Sequence, residues 1–289
     1  MLKRTGVFRK LGLLTLVLVF FFGLSSPVVN AEEVKMEIVS DPSVSWSSDG
    51  TTWEPAVACW VHPSWETISG ANWIWTSYLV DSIDKCGPFM FRKTFNVPDN
   101  GTDITGFVYI TTDNTYKIYF NGQFIGQDDN WRITETYALI PRRGLNEILI
   151  EAVNNATHGI EPFGNPGGLL FKATIIYEIP KQVNIDIKPG SFSNPVNLKS
   201  KGNIPVVVLS DLTFDATAVD PKTVVFAGAN ALSIGQTPQD VNGDGLSDMV
   251  FHFRTEDLKI CTSDIKTCLG GKTFDGCRFE GWDSIFVIK

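Results

Sequence analysis

Positive charge is what this 289-residue chain has little of: 24 Lys and Arg stand against 32 Asp and Glu, a formal net charge of −8. Four of the bases, Lys3, Arg4, Arg9 and Lys10, lie in the first 31 residues beside no acid, and without that segment −8 becomes −12. The remaining bases are scattered singly. A surface that neutralises phosphates is therefore excluded, and nucleic-acid binding with it. Histidine is equally sparse. His62, His158 and His252 fall at no ligand spacing from Cys261, Cys268 and Cys277, which argues against zinc at those three cysteines. No Gly-rich phosphate loop leads into a helix, and nothing after Ala31 keeps a helical apolar period for three turns. Glu54, Glu66, Asp81, Asp84, Glu151 and Glu161 show no spacing that pairs two carboxylates across a sugar, and no nucleophile stands beside a His.

The first 31 residues do carry a pattern. A basic start leads into an apolar run over 11–24 and then the small residues of 25–31, the layout of a secretory signal cleaved after Ala31. The run is shorter than the ~20 residues that span a bilayer; extended through 27–29 it would just reach, which leaves an uncleaved anchor as the alternative. Export places the protein outside the cell or at its surface and permits disulfides. The expected pairs are Cys59 with Cys86 and Cys261 with Cys268, leaving Cys277 over.

Twenty Phe, eight Trp and six Tyr supply ample apolar surface. It comes in short β-branched and aromatic runs cut by Gly, Asn, Asp and Pro. Residues 116–120 meet Asn121-Gly122 and then 123–126, a hairpin whose turn pair supplies two positive φ angles. Residues 145–153 alternate apolar and polar, and 169–177 read as the last strand of a first series. After a break at 178–182, a second series runs through 183–188, 204–209, 223–226, 249–253 and 284–288. The expected fold is all-β, with two tandem β-sandwiches at 36–179 and 182–289.

The sharpest chemical signal is Asp240-Val241-Asn242-Gly243-Asp244-Gly245-Leu246-Ser247-Asp248. Oxygen side chains alternate, Gly245 at the sixth position allows a sharp turn, and the seventh, Leu246, offers its carbonyl. Hard oxygen donors at that spacing select Ca²⁺. Phe251 stands where an EF-hand places its bidentate Glu, so this is not an EF-hand. The segment resembles the DxNxDGxxD loops of dockerin, integrin and type-3 thrombospondin sequences. The predicted ligands are Asp240, Asn242, Asp244, Leu246 and Asp248; an acidic hairpin turn is the alternative.

Around that loop, Ile185-Asp186-Ile187-Lys188-Pro189-Gly190, Leu198-Lys199-Ser200-Lys201-Gly202, Ile204-Pro205-Val206, Val219-Asp220-Pro221 and Phe251-His252-Phe253 resemble a β-sandwich module of secreted bacterial and archaeal proteins. That resemblance implies no catalytic residues. In the first half, Trp73-Ile74-Trp75, Phe91-Arg92-Lys93-Thr94-Phe95, Thr112-Asp113-Asn114, Gly144-Leu145-Asn146, Val153-Asn154-Asn155 and Pro166-Gly167-Gly168-Leu169-Leu170 follow in an order similar to galactose-binding-like jelly rolls appended to secreted glycoside hydrolases. It implies loops at one end of a sandwich that meet sugars or other surfaces. Six Trp lie between Trp46 and Trp75. Most of them read as core, since Trp73 and Trp75 share one side of a strand. Trp131, after the polar stretch 126–130, is expected to be exposed, and Trp131, Asp128, Asp129 and Trp65 are the candidate ligand contacts. Asp49-Gly50 reads as a structural hairpin, one residue too short for a sialidase Asp-box. A secreted, non-catalytic protein that binds carbohydrate or another cell-surface component, such as a glycan, through the first domain, with a calcium-stabilised second domain, is the function expected. A polysaccharide hydrolase and a purely structural surface protein are the alternatives.

Overall fold

The computed structural model describes residues 31–156 and 163–288, so the expected signal segment lies outside the described residues apart from Ala31. The chain is all-β, and its strands divide between two hydrophobic cores. One core gathers buried residues from Ile38 to Tyr177, the other from Val183 to Ile285.

The first half holds β1 (Glu32–Val39), β2 (Ser45–Ser47), β3 (Glu54–Pro55), β4 (Val57–Ala58), β5 (Ile74–Trp75), β6 (Phe89–Val97), β7 (Thr102–Asp113), β8 (Thr115–Phe120), β9 (Gln123–Asp128), β10 (Glu135–Leu139), β11 (Gly144–Val153) and β12 (Gly168–Ile179). They form two six-stranded antiparallel sheets, one ordered β10-β7-β12-β5-β4 with β1 also on β12, the other β3-β2-β6-β11-β8-β9. In β11 the alternation seen in sequence holds: Asn146, Ile148, Ile150 and Ala152 are buried while Glu147, Leu149 and Glu151 face outward. Period two puts one set of side chains on each face of a pleated strand. Ile110, Phe171 and Ala173 from one sheet meet Phe91, Ile118 and Ile150 from the other in a single core. Trp75 is fully buried and satisfies its indole N–H on the Lys85 carbonyl at 2.8 Å.

Asn121 and Gly122 take φ of 49° and 79°, the two positive angles the hairpin needs. Along the side of the sandwich, Gly126 on β9 lies against the Tyr137 ring on β10. A Cβ there would stand 2.0 Å from the ring, so only glycine permits the approach.

The second half holds β13 (Lys181–Gln182), β14 (Ile185–Ile187), β15 (Pro195–Asn197), β16 (Asn203–Val208), β17 (Val225–Phe226), β18 (Ala229–Asn230), β19 (Pro238–Gln239), β20 (Asp248–Arg254), β21 (Lys266–Lys272), β22 (Arg278–Ser284) and β23 (Phe286–Ile288). Its sheets run β13-β22-β21-β17-β18 and β14-β16-β20-β19, with β15 and β23 paired apart. Phe226, Phe251, Phe253 and Phe279 fill the space between them. Only Pro180 separates β12 from β13. Arg278 on β22 spans the junction, donating to both oxygens of Asp103 at 2.6 and 2.9 Å and lying 3.5 Å from Glu178.

Neither expected disulfide is present: Cys59, Cys86, Cys261 and Cys268 are free thiols. Each is held by its own strand or turn. The Cys59 amide bonds Trp73, and the Cys86 thiol turns back to the Ser82 carbonyl at 3.9 Å. Cys268 sits on β21 in register with Trp282, and Cys261 lies in a turn closed by Asp264. Burial pushes the Cys59 thiol up to about 12, which keeps it protonated and unreactive.

Candidate functional site

The register of the first sandwich gathers one set of strand ends. Asp113 lies opposite Gly168, Val153 opposite Thr115, Asp128 opposite Tyr116 and Phe89 opposite Ala152. The loops after β4, β9 and β11 therefore share one end of the molecule, and all four candidate ligand residues lie there, Trp65 buried beneath the rest.

Asp128 and Asp129 line a groove of about 520 Å³ with Pro88, Tyr116, Lys117, Gln127 and Glu151. A two-residue turn alone would set Lys117 against Gly126. A bulge between Ile118 and Tyr119 shifts the register by one, so Lys117 meets Gln127 and Asp128 meets Tyr116. Lys117 also stands opposite Glu151 on β11. Neither Lys117, Glu151 nor Asp129 enters an ion pair among the described residues, so a cation and two carboxylates stay open to a ligand. Asp128 accepts the Asn130 amide at 2.8 Å, which curls the chain toward Trp131, and Thr111 holds the Trp131 carbonyl at 3.3 Å. Beneath the groove, the Tyr116 hydroxyl lies 3.1 Å from that of Tyr137. Burial first, then Tyr137, Asp128 and Glu135, push the Tyr116 phenol far above its usual range, so it remains a neutral donor.

Trp131 is half-buried, packed on the core edge, and not the free indole expected. The Arg132 guanidinium lies 4.4 Å over its ring, and His62 meets it edge-on at 6.1 Å. His62 also contacts Trp60 at 5.9 Å, and Trp60 contacts the exposed Phe163 at 5.3 Å. Trp60, His62, Trp131 and Phe163 thus form an aromatic cluster from three loops. Trp65, the fourth candidate, differs from expectation. It is 6% exposed, stacks on Trp73 at 4.2 Å and donates its indole N–H to Asp113 at 3.0 Å. Sequence reasoning did not select Lys117, Gln127, Trp60 or Phe163 for this site. The bulge that sets the first pair, and the loop packing that sets the second, leave no local signature.

In the second half, Asp240 accepts the amides of Gly243, Asp244 and Gly245 at 2.7, 3.2 and 3.0 Å. Gly243 and Gly245, at φ of 80° and 88°, allow the chain to curl that tightly. Asn242 donates to Asp244 at 2.9 Å, and Asp244 accepts the Leu246 amide at 2.8 Å. Asp248 is fully buried and accepts the Ser210 and Val241 amides at 2.8 and 2.9 Å, closing the loop onto a neighbouring strand end. The alternating oxygen donors fit a hard cation. Among the described residues no three His, Cys, Asp or Glu side chains converge as a metal group, and the loop oxygens are hydrogen-bonded to amides of the chain.

No protein-family model matches the chain, and no curated protein matches it. Solved structures that align with it include an FMN-binding beta-glucuronidase from Facaelibacterium prausnitzii, at 13% identity and TM-score 0.33, over 89% of this chain and 40% of that one. A beta-glucuronidase from Ruminococcus gnavus aligns at 10% identity and TM-score 0.32, over 88% and 45%. A lectin from Pleurotus ostreatus, in complex with GalNAc, aligns at 27% identity and TM-score 0.29, over 43% and 34%. The chain spans less than half the length of each of these structures. TM-scores near 0.3 superpose too little backbone to carry an argument about function.

Proposed function

We propose that the protein is an exported, non-catalytic binder of carbohydrate, with its site at the loop end of the first sandwich. One observation carries this reading: the 128–131 segment places Asp128 and Asp129 in a groove with unpaired Lys117 and Glu151, and Trp131 in an aromatic cluster beside it. Sugars present hydroxyls that both donate and accept, together with an apolar ring face. A groove with open donors and acceptors beside indoles complements both. Ca²⁺ held by Asp240, Asn242, Asp244, the Leu246 carbonyl and Asp248 would draw these oxygens inward and offset three carboxylates, stiffening the second half.

A glycan array on the mature chain, with turnover assays on every retained glycan, tests the binding reading. Retention without product is expected, with ~10-fold weaker retention for Trp131→Ala or Asp129→Asn. Product formation would assign a hydrolase instead, and no retention at all a structural role. For calcium, the expected result is a higher melting temperature on adding the metal, reversed by chelator and absent in Asp244→Ala. An unchanged melting curve overturns the calcium assignment.

A further inference from the structure

A second surface lies on the solvent face of the sheet containing β6. Arg92 stands there between Ser45 on β2 and Leu149 on β11. Its guanidinium carbon is 3.9 Å from the centroid of the Trp53 ring. The cause is local. Asp49 accepts the amides of Thr51 and Thr52, both at 2.8 Å, and Gly50 takes φ of 75°, so the chain reverses and returns Trp53 over β6. Hydrogen bonds from those two amides hold the Asp49 carboxyl far below its usual range, so the turn keeps its form at neutral pH.

The stacked Arg92 is half-buried and has no carboxylate within ion-pair distance among the described residues. It lines a groove of about 340 Å³ with Ser43, Ser45, Lys93 and Thr94. Lys93 is committed to Asp41 at 3.2 Å, which leaves Arg92 as that groove's open cation. A guanidinium carries a planar fork of N–H donors that matches two oxygens of one oxyanion, and stacking on indole fixes the plane of the fork in advance. In register from Arg92, Leu149, Tyr119 and Phe124 extend an apolar row across three more strands. Tyr119 and Phe124 meet edge to face at 5.7 Å, and Phe124 is 55% exposed. Glu147 and Glu151 flank Leu149 on the same face and would repel a densely anionic polymer.

We infer that this face binds a sparsely charged acidic glycan, with the carboxylate of a uronic sugar on Arg92 and neighbouring rings on Tyr119 and Phe124. The choice of glycan as ligand rests on the carbohydrate reading above, while the site itself is centred on Arg92, farther along the same sheet face, with Glu151 bordering both. The test is calorimetric titration of the whole mature chain with a uronic-acid oligosaccharide, its carboxyl-reduced neutral counterpart and a sulfated oligosaccharide. The expected result is at least ~10-fold tighter binding of the uronic form. Arg92→Gln abolishes that preference, Arg92→Lys keeps part of it by charge alone, and Trp53→Ala weakens it with the neutral form unaffected. Equal affinity for the uronic and neutral forms overturns the inference and leaves the loop-end reading standing. So does tighter binding of the sulfated form, or an Arg92→Gln loss equal for all three. Binding of none by the wild-type chain overturns this inference and leaves the loop-end reading to the glycan array, and a uronic preference that survives Trp131→Ala separates this site from the first.

Discussion

The two sandwiches solve the same folding problem with different materials. The first has strands of 9 to 12 residues at β6, β7, β11 and β12, and a core that encloses Trp65, Trp73 and Trp75. No strand of the second exceeds 7 residues, and its core holds no tryptophan. There, aspartates take over part of the work of the ladder. Asp211, Asp215, Asp220, Asp240, Asp248, Asp264 and Asp283 each accept a backbone amide across a turn or between strand ends. Short strands leave more backbone N–H groups outside sheet ladders, and a carboxylate is the strongest side-chain acceptor available to them. The acidity that excludes nucleic acid in the sequence is thus partly internal scaffolding, concentrated where regular structure is thin.

The comparison breaks most visibly at Trp75. Replacing a fully buried indole with alanine is expected to destabilise the first half by about 3–5 kcal/mol, read by denaturant unfolding followed on near-ultraviolet signals, while the second half unfolds unchanged. Loss of both transitions together would show that the halves fold as one unit. Next is Asp248→Ala in the absence of calcium. It strips the acceptor from the buried Ser210 amide and the half-buried Val241 amide and should cost the second half about 2–4 kcal/mol, more than any substitution of a surface acid there. An effect below about 0.5 kcal/mol would show that aspartate clasps contribute little, against the contrast drawn here.

The smallest effect belongs to the junction. Hydrogen bonding to Arg278 holds the Asp103 carboxyl below its ordinary value, so its contribution is fully present above pH ~4 and lost as pH falls through the lowered value. Both side chains are partly exposed, and Arg278→Gln should cost at most about 1 kcal/mol. Small-angle scattering from pH 6 to 2.5 should show the wild type loosening toward the variant's profile while each half stays folded. A variant profile identical to wild type at neutral pH would remove the contact from any role in orientation.

Much of the strand framework was legible because it is written locally. The Asn121-Gly122 turn and the alternation of residues 145–153 need only neighbours in sequence. Trp65 was misplaced because its partner, Asp113, lies 48 residues away and captures its N–H. The stacking of Trp53 on Arg92 was equally hidden, since it depends on how β2 registers against β6. The disulfide expectation failed for a related reason: closeness of thiols along the chain says nothing about which strand or turn holds each one. The 240–248 loop is the reverse case, clear in sequence, with its oxygen side chains taken up by amides of the chain.

The single residue between β12 and β13 sets a distance scale. One extended residue spans only about 3.5 Å, which keeps the two strand ends it joins close together, and Arg278 bridges the halves beside it. If that contact holds the halves in one orientation, any two surfaces, one on each half, are presented at a fixed separation. A repetitive polymer or crowded cell surface whose repeat matched that separation would meet the second contact at high effective concentration, and one whose repeat did not would gain nothing from it. The junction would then act as a ruler, reading the spacing of what the protein touches as well as its chemistry.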